Sequence, residues 1–345
     1  MDWLGSLSWQ GNLVAKSRQE FFQGKNFMKR LTLFLILSCA AFSRAQDPQI
    51  AFKADPEPAK LPEGMYFGEV AGVAVNPDGN LFVFNRGAQT QLLEFNPDGS
   101  FRRTIGKDLY GFSFAHVVRI DKYKNIWCVD EGANMVIKFS PEGRVLMVLG
   151  RKPESVEAPA AGQPQGPARP ENFNRPTDVA WDSQDNIYVS DGYGNSRVAK
   201  FDKNGKFVKA WGERGAAPGQ FNLPHTMVID AEDRVYVGDR ANKRIQVFDH
   251  DGTFLTQWTN VGAPWAICIT DGPKQFIYSS DSDATGRIYK LDLLGNILGS
   301  FGERGKLPGE FGWVHEMSCP TENTIYVSEI LNWRVQKLTL QPGKK

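Results

Sequence analysis

The chain has 345 residues, with 40 Lys and Arg against 39 Asp and Glu, and a formal net charge of +1. That balance leaves no electrostatic footprint for nucleic acid. After Gln46 no apolar run is long enough to span a bilayer as a helix.

The first 45 residues read as a processing region. Lys29-Arg30 precede an apolar run, Leu31 to Phe42, and Ser43-Arg44-Ala45 offers small residues where a signal peptidase reads. Translation is expected to start at Met28, which would make residues 1–27 a wrongly assigned start. Cleavage is expected after Ala45, with export to the periplasm or the extracellular space. Ile36-Leu37-Ser38-Cys39 loosely resembles a lipoprotein box, so a lipid anchor at Cys39 is the minor alternative.

Residues 46–345 are predicted to form one domain. Short β-rich runs recur in phase: Leu81–Phe84, Ile126–Val129, Ile187–Ser190, Val235–Gly238, Ile277–Ser280 and Ile325–Ser328. β-Branched and aromatic residues in alternation mark strands. A further run follows each, as in Arg197–Phe201 and Arg244–Phe248. It ends in a turn pair such as Asp98-Gly99, Glu142-Gly143, Asn204-Gly205, Asp251-Gly252 or Leu294-Gly295. The polar residues ending the recurring runs (Asn85, Asp130, Asp191, Asp239, Asp281, Glu329) are 45, 61, 48, 42 and 48 residues apart. The long interval holds Pro153 to Pro170, so a Pro/Gly-rich loop insertion is expected at about 151–172.

Four strands per copy and six copies predict an all-β, six-bladed β-propeller. The last copy lacks a fourth strand, and Gln49–Lys53 is expected to complete it and close the ring, which removes exposed sheet edges. An open β-sandwich or two smaller β domains would be the other reading, but six in-phase copies argue against it. Cys128, Cys268 and Cys319 fall in strand runs. Being odd in number, they read as buried small hydrophobes rather than a disulfide framework.

Each copy opens with a matching segment: Phe67–Ala71, Phe112–His116, Phe173–Thr177, Phe221–His225, Val261–Trp265 and Phe311–His315. His116, His225 and His315 end the second, fourth and sixth. In a ring, alternate copies are related by a pseudo-threefold axis, so three imidazoles converge. Three neutral nitrogen ligands with an open fourth position is the arrangement of a catalytic zinc site. The remaining histidine, His250, sits in a turn and serves as a control. The same rim carries Arg86 and Arg240, which can supply fixed positive charge, and Tyr193, a candidate proton donor or base. Glu131, Ser282-Asp283 and Ile330 share that rim. Asp191 and Asp239 are expected to cap loops between blades, and Trp265 and Trp313 to pack near the axis.

Segments such as Trp211-Gly-Glu-Arg-Gly-Ala-Ala-Pro-Gly-Gln-Phe-Asn-Leu-Pro-His225 resemble NHL repeats, which form propellers. Over residues 65–340 the runs Phe84-Asn-Arg86-Gly87, Pro176-Thr-Asp178-Val179, Ser190-Asp-Gly-Tyr193-Gly-Asn-Ser-Arg197, Pro224-His225 and Asp239–Gln246 resemble peptidyl-α-hydroxyglycine α-amidating lyase. That family cleaves a peptide's C-terminal α-hydroxyglycine to an amide and glyoxylate. The resemblance implies zinc on His116, His225 and His315, Tyr193 as base, and Arg86 and Arg240 near a substrate carboxylate.

It also implies a channel calcium held by the carbonyls of Val73 and Val118 and by a carboxylate after the third histidine. Here that residue is Glu316 where the family has aspartate, which leaves calcium open. Val117 stands where the family has glycine, and Trp313 where it has methionine. Asn174, Gly194, Tyr236 and Val247 occupy the family's disulfide positions, and no hydroxylating domain is present in this sequence. The expected function is an exported zinc-dependent carbon–nitrogen lyase acting on a small-molecule or peptide substrate with a C-terminal carboxylate. The alternatives are a non-catalytic NHL-type binding propeller or another metal-dependent propeller enzyme such as a lactonase.

Overall fold

The computed structural model describes residues 47–107, 109–152 and 171–341. The expected processing region, Cys39 and the Pro153–Pro170 insertion lie outside the described residues. Six four-stranded antiparallel sheets make up the described chain; five have their strands in sequence order from the axis outward, and the sixth takes its outermost strand from the N-terminal side. The inner strands are Glu69–Val75, Ala115–Ile120, Asp178–Trp181, Pro224–Ile229, Pro264–Ile269 and Val314–Thr321. No α-helix occurs among the described residues; a single 3-10 turn spans Arg240–Asn242. The protein is a six-bladed β-propeller.

The sequence repeat has a packing cause. The hairpin glycines after the third strands adopt left-handed backbone, as at Gly205 (φ 82°) and Gly252 (φ 80°), which side chains resist. Gly212 ends the outer strand of blade 3 at φ 93°, and a Cβ there would meet the Phe221 ring at 2.4 Å. The recurring Gly-then-Phe therefore lets the opening phenylalanine of one copy seat against the blade before it. Second-strand aspartates cap these openings: Asp191 accepts from Asn174 N at 2.8 Å and Asp239 from Asn222 N at 2.7 Å, while Arg197 and Arg244 pair with them. The loop-capping role expected for both holds.

Six hydrophobic clusters fill the seams, one between each pair of neighbouring blades, including that between blades 6 and 1. Large buried rings dominate them, among them Phe84, Phe139, Tyr188, Tyr236 and Phe301. Each such side chain contributes about 1.5–3 kcal/mol on burial.

The closing strand is Phe52–Asp55, paired antiparallel to Arg334–Leu340. It lies about three residues beyond the expected Gln49–Lys53, because Pro48 to Ile50 first bond Ser300 on the outer strand of blade 5. A second difference concerns the cysteines. Cys268 and Cys319, on the inner strands of blades 5 and 6, form a disulfide, and only Cys128 is free among the described residues. Parity argued against a pair, but two residues 51 apart become neighbours once consecutive blades dock.

Candidate metal centre

The histidine column is placed by a local irregularity. Pairing between first and second strands slips between Val70 and Gly72, Ala115 and Val117, Pro224 and Thr226, Pro264 and Ile267, and Val314 and Glu316. Each slip is a β-bulge at the column residue, which takes it out of the ladder and re-aims its side chain.

His116, His225 and His315 converge, with ligand nitrogens all within 4.8 Å of one another. Their ring centroids are 4.8, 4.6 and 4.9 Å apart. Two of the alternate column residues, Trp265 and Ala71, orient two of them. His225 Nδ1 lies 2.6 Å from the Trp265 carbonyl, and His315 Nδ1 lies 2.8 Å from that of Ala71. Each of these Nδ1 atoms donates, which leaves Nε2 with its lone pair free, the arrangement that fixes a metal-binding tautomer. His116 faces the Thr177 backbone in the same rotational relation, outside strict hydrogen-bond geometry, so both its nitrogens are unpartnered. His225 Nε2 is also buried without a partner.

Burial, then the neighbouring imidazoles and arginines, hold His116 and His225 well below the usual histidine range. His315 is pushed down to about 3 by burial and by Arg86 and Arg240. All three are neutral at pH 7, the form that binds a metal. Orphaned nitrogens, tautomer and charge state together fit zinc.

Tyr193 packs beside the cluster, 5.6 Å from His116 and 5.9 Å from His225 between ring centroids. Burial and Glu131 raise its phenol above the usual range, against the pull of Arg240, Arg86 and Arg175. Arg240 stacks its guanidinium 3.5 Å over Trp265 and makes no ion pair among the described residues. Arg86 is bound to Glu69 at 2.7 Å and lies over Phe114. Trp265 and Trp313 stack at 5.0 Å, and Trp265 also bonds Asp283 at 2.7 Å. His250 is half exposed in its turn, far in sequence and role from the cluster.

Two residues given no role by the sequence also belong here. Glu131 is buried with one oxygen 3.9 Å from His116 Nε2. It is gripped by the guanidinium of Arg175, which also stacks 4.5 Å from the Tyr193 ring. Arg175, Leu223 and Trp313 each stand two positions before a column residue and adopt left-handed backbone (φ 61°, 69° and 57°). Such strain in bulky residues gathers where side chains are aimed at a ligand. The legible clue was positional: Arg175 is the one basic residue at that offset in the column, where Glu69 is the acidic one.

Glu316 departs from the calcium expectation. Its Oε2 accepts the backbone N–H of Val73 at 2.7 Å and of Val118 at 3.1 Å, and its Oε1 faces Arg119 Nε at 3.2 Å. A cavity of about 820 Å³ opens toward the other end of the axis, lined in part by Arg119, Met317, Cys268 and Cys319.

Residues 173–304 match the DUF5128 six-bladed β-propeller family. The chain is 30% identical over 304 residues to peptidyl-glycine alpha-amidating monooxygenase A of Xenopus laevis, across 76% of this chain and 31% of that protein. It therefore spans about a third of that relative's length. It is 25% identical over 307 residues to a probable peptidyl-alpha-hydroxyglycine alpha-amidating lyase of Caenorhabditis elegans, covering 79% and 83% of the two chains. It is 31% identical over 247 residues to human NHL repeat-containing protein 3, covering 68% and 65%. A virginiamycin B lyase of Staphylococcus aureus superposes with TM-score 0.58 at 15% identity over 84% of this chain and all of that one, a likeness of fold. The resemblance to amidating lyases and NHL-repeat propellers read from the sequence is thus found in curated relatives of both names.

Proposed function

We propose that this relative of the amidating lyases is a zinc-dependent carbon–nitrogen lyase that breaks a carbinolamide, releasing an amide and glyoxylate from a peptidyl-α-hydroxyglycine. The observation that carries the reading is the set of three neutral, converging imidazoles beside one tyrosine and one arginine that makes no ion pair among the described residues. A zinc ion held by His116, His225 and His315 supplies Lewis acidity for a substrate oxygen.

Arg240, flat on Trp265, orients the substrate carboxylate, since a guanidinium with no ion pair among the described residues is free to pair with it. Arg86, tied to Glu69, contributes fixed positive potential rather than a second free clamp. Tyr193 takes the hydroxyl proton as the carbonyl forms and the C–N bond breaks, and that proton is returned to the departing amide nitrogen. Burial and Glu131 keep the phenol protonated, so this role depends on added positive charge beside it. The three histidines are buried and the Tyr193 ring packs on two of them, so that ring must move for substrate to reach the cluster. We place the protein in an exported compartment, and the Cys268–Cys319 disulfide supports an oxidising one.

The test is glyoxylate release from a synthetic peptidyl-α-hydroxyglycine by the mature protein loaded with zinc. Tyr193→Phe should lower turnover by about a hundredfold to ten-thousandfold with zinc retained, the usual range for loss of a general base. Wild-type protein with full zinc and no glyoxylate would defeat the lyase reading. The likeness to NHL repeat-containing protein 3 then favours a binding propeller using the same face.

A further inference from the structure

Arg119 stands three residues after the first histidine, on an inner strand that is otherwise apolar after His116 (Val117, Val118, Ile120). A charged side chain turned toward the axis there needs partners, and it has them from several blades. Its Nε and Nη2 make a two-pronged contact with Asp178 of blade 3, at 2.9 and 2.6 Å. Nε also faces Glu316 of blade 6 at 3.2 Å. Nη1 and Nη2 each reach a carbonyl, Met317 of blade 6 and Ile267 of blade 5, at 3.4 Å.

The two carboxylates extend the network. Asp178 Oδ2 accepts Thr226 Oγ1 at 3.0 Å and Met227 N at 2.8 Å, both in blade 4. Glu316 Oε2 accepts Val73 N of blade 1 and Val118 N of blade 2. Every blade is tied in.

A channel calcium would need oxygen donors around a cation. Here Val73 and Val118 turn N–H groups inward to Glu316, and the positive charge between the carboxylates is a guanidinium. The guanidinium already holds the place and supplies the charge that a cation between those carboxylates would, so the site with Arg119 in it does not fit calcium. We propose that Arg119 is a built-in axial cation that clasps the six inner strands, so that this propeller needs no structural calcium. The longer Glu316 side chain is the matching half of the device: it spans from the backbone of blades 1 and 2 to Arg119. Gly72 leaves the room, since a Cβ there would meet Glu316 Oε2 at 3.0 Å and Val118 N at 2.9 Å. This inference is independent of the lyase reading and of zinc.

The test uses zinc-loaded mature protein equilibrated with millimolar calcium, then desalted for elemental analysis, with melting followed in parallel. Wild type should retain no stoichiometric calcium, and calcium should move Tm by less than about 1 °C, as expected when nothing binds the native state. Arg119→Ser leaves Asp178 and Glu316 buried without a counter-charge. Its Tm should fall by about 6–20 °C, and added calcium should recover part of the loss by occupying the vacated space. Stoichiometric calcium in wild type, or a Tm rise of several degrees with calcium, would overturn the proposal. So would an Arg119→Ser protein as stable as wild type. If Arg119→Ser does not fold, the wild-type measurements still decide, and Arg119→Lys, which keeps the charge, should fold and stay indifferent to calcium.

Discussion

Breaking the Cys268–Cys319 disulfide should cost this protein several kilocalories per mole. The bond closes a loop of 51 residues between the inner strands of blades 5 and 6. The chain-entropy relation for a loop of that length gives about 4 kcal/mol of stabilisation at 25 °C, acting through the unfolded chain. Both sulfurs are buried beside a hydrophobic cluster that includes Phe276, Tyr278 and Ile325, so the Cys268→Ala and Cys319→Ala pair of changes keeps an apolar contact there. At about 2–4 °C per kcal/mol the double variant should melt about 8–16 °C below wild type. Differential scanning calorimetry of mature protein, beginning at Gln46 if the signal is cut after Ala45, makes the comparison. Denatured, unreduced wild type should titrate a single thiol, from Cys128, rising to three after reduction. Three free thiols before reduction, or a double variant with unchanged Tm, would show that the crosslink is not part of the working protein.

Zinc should be present at close to one per chain, lost from His116→Ala, His225→Ala and His315→Ala and kept by His250→Ala; equal metal in all four variants would remove the centre. Metal-stripped protein should be acid-sensitive, because the unfolded chain protonates near pH 6.5 what the fold holds neutral. For His315, with a folded value of about 3, the stabilisation is complete above about pH 6.5 and is lost as pH falls toward 3, at about 1.4 kcal/mol per pH unit. Urea midpoints between pH 7 and pH 5 measure this, and a flat profile would contradict the buried neutral triad.

Much of this molecule was legible without coordinates. Six in-phase copies, hairpin glycines and second-strand aspartates specify blades because each is a local requirement: a turn, a cap, an alternating face. The histidine column was legible for a related reason, since a repeat converts position in the chain into position around an axis. Ring closure was legible in kind, though Pro48 to Ile50 detour through Ser300 and move the closing strand.

What only the tertiary structure decided depends on contacts between copies. Cys268 and Cys319 do not share a blade, so nothing local links them until blades 5 and 6 dock. Glu131 and Arg175 come from different blades and meet only over Tyr193. Arg119, Asp178 and Glu316 lie on three separate inner strands, and their sequence positions alone leave open whether the axis holds a metal or a side-chain cation. Repetition fixes where each inner strand points; which charges then face one another is set by the bulges and the docking of strands far apart in the chain.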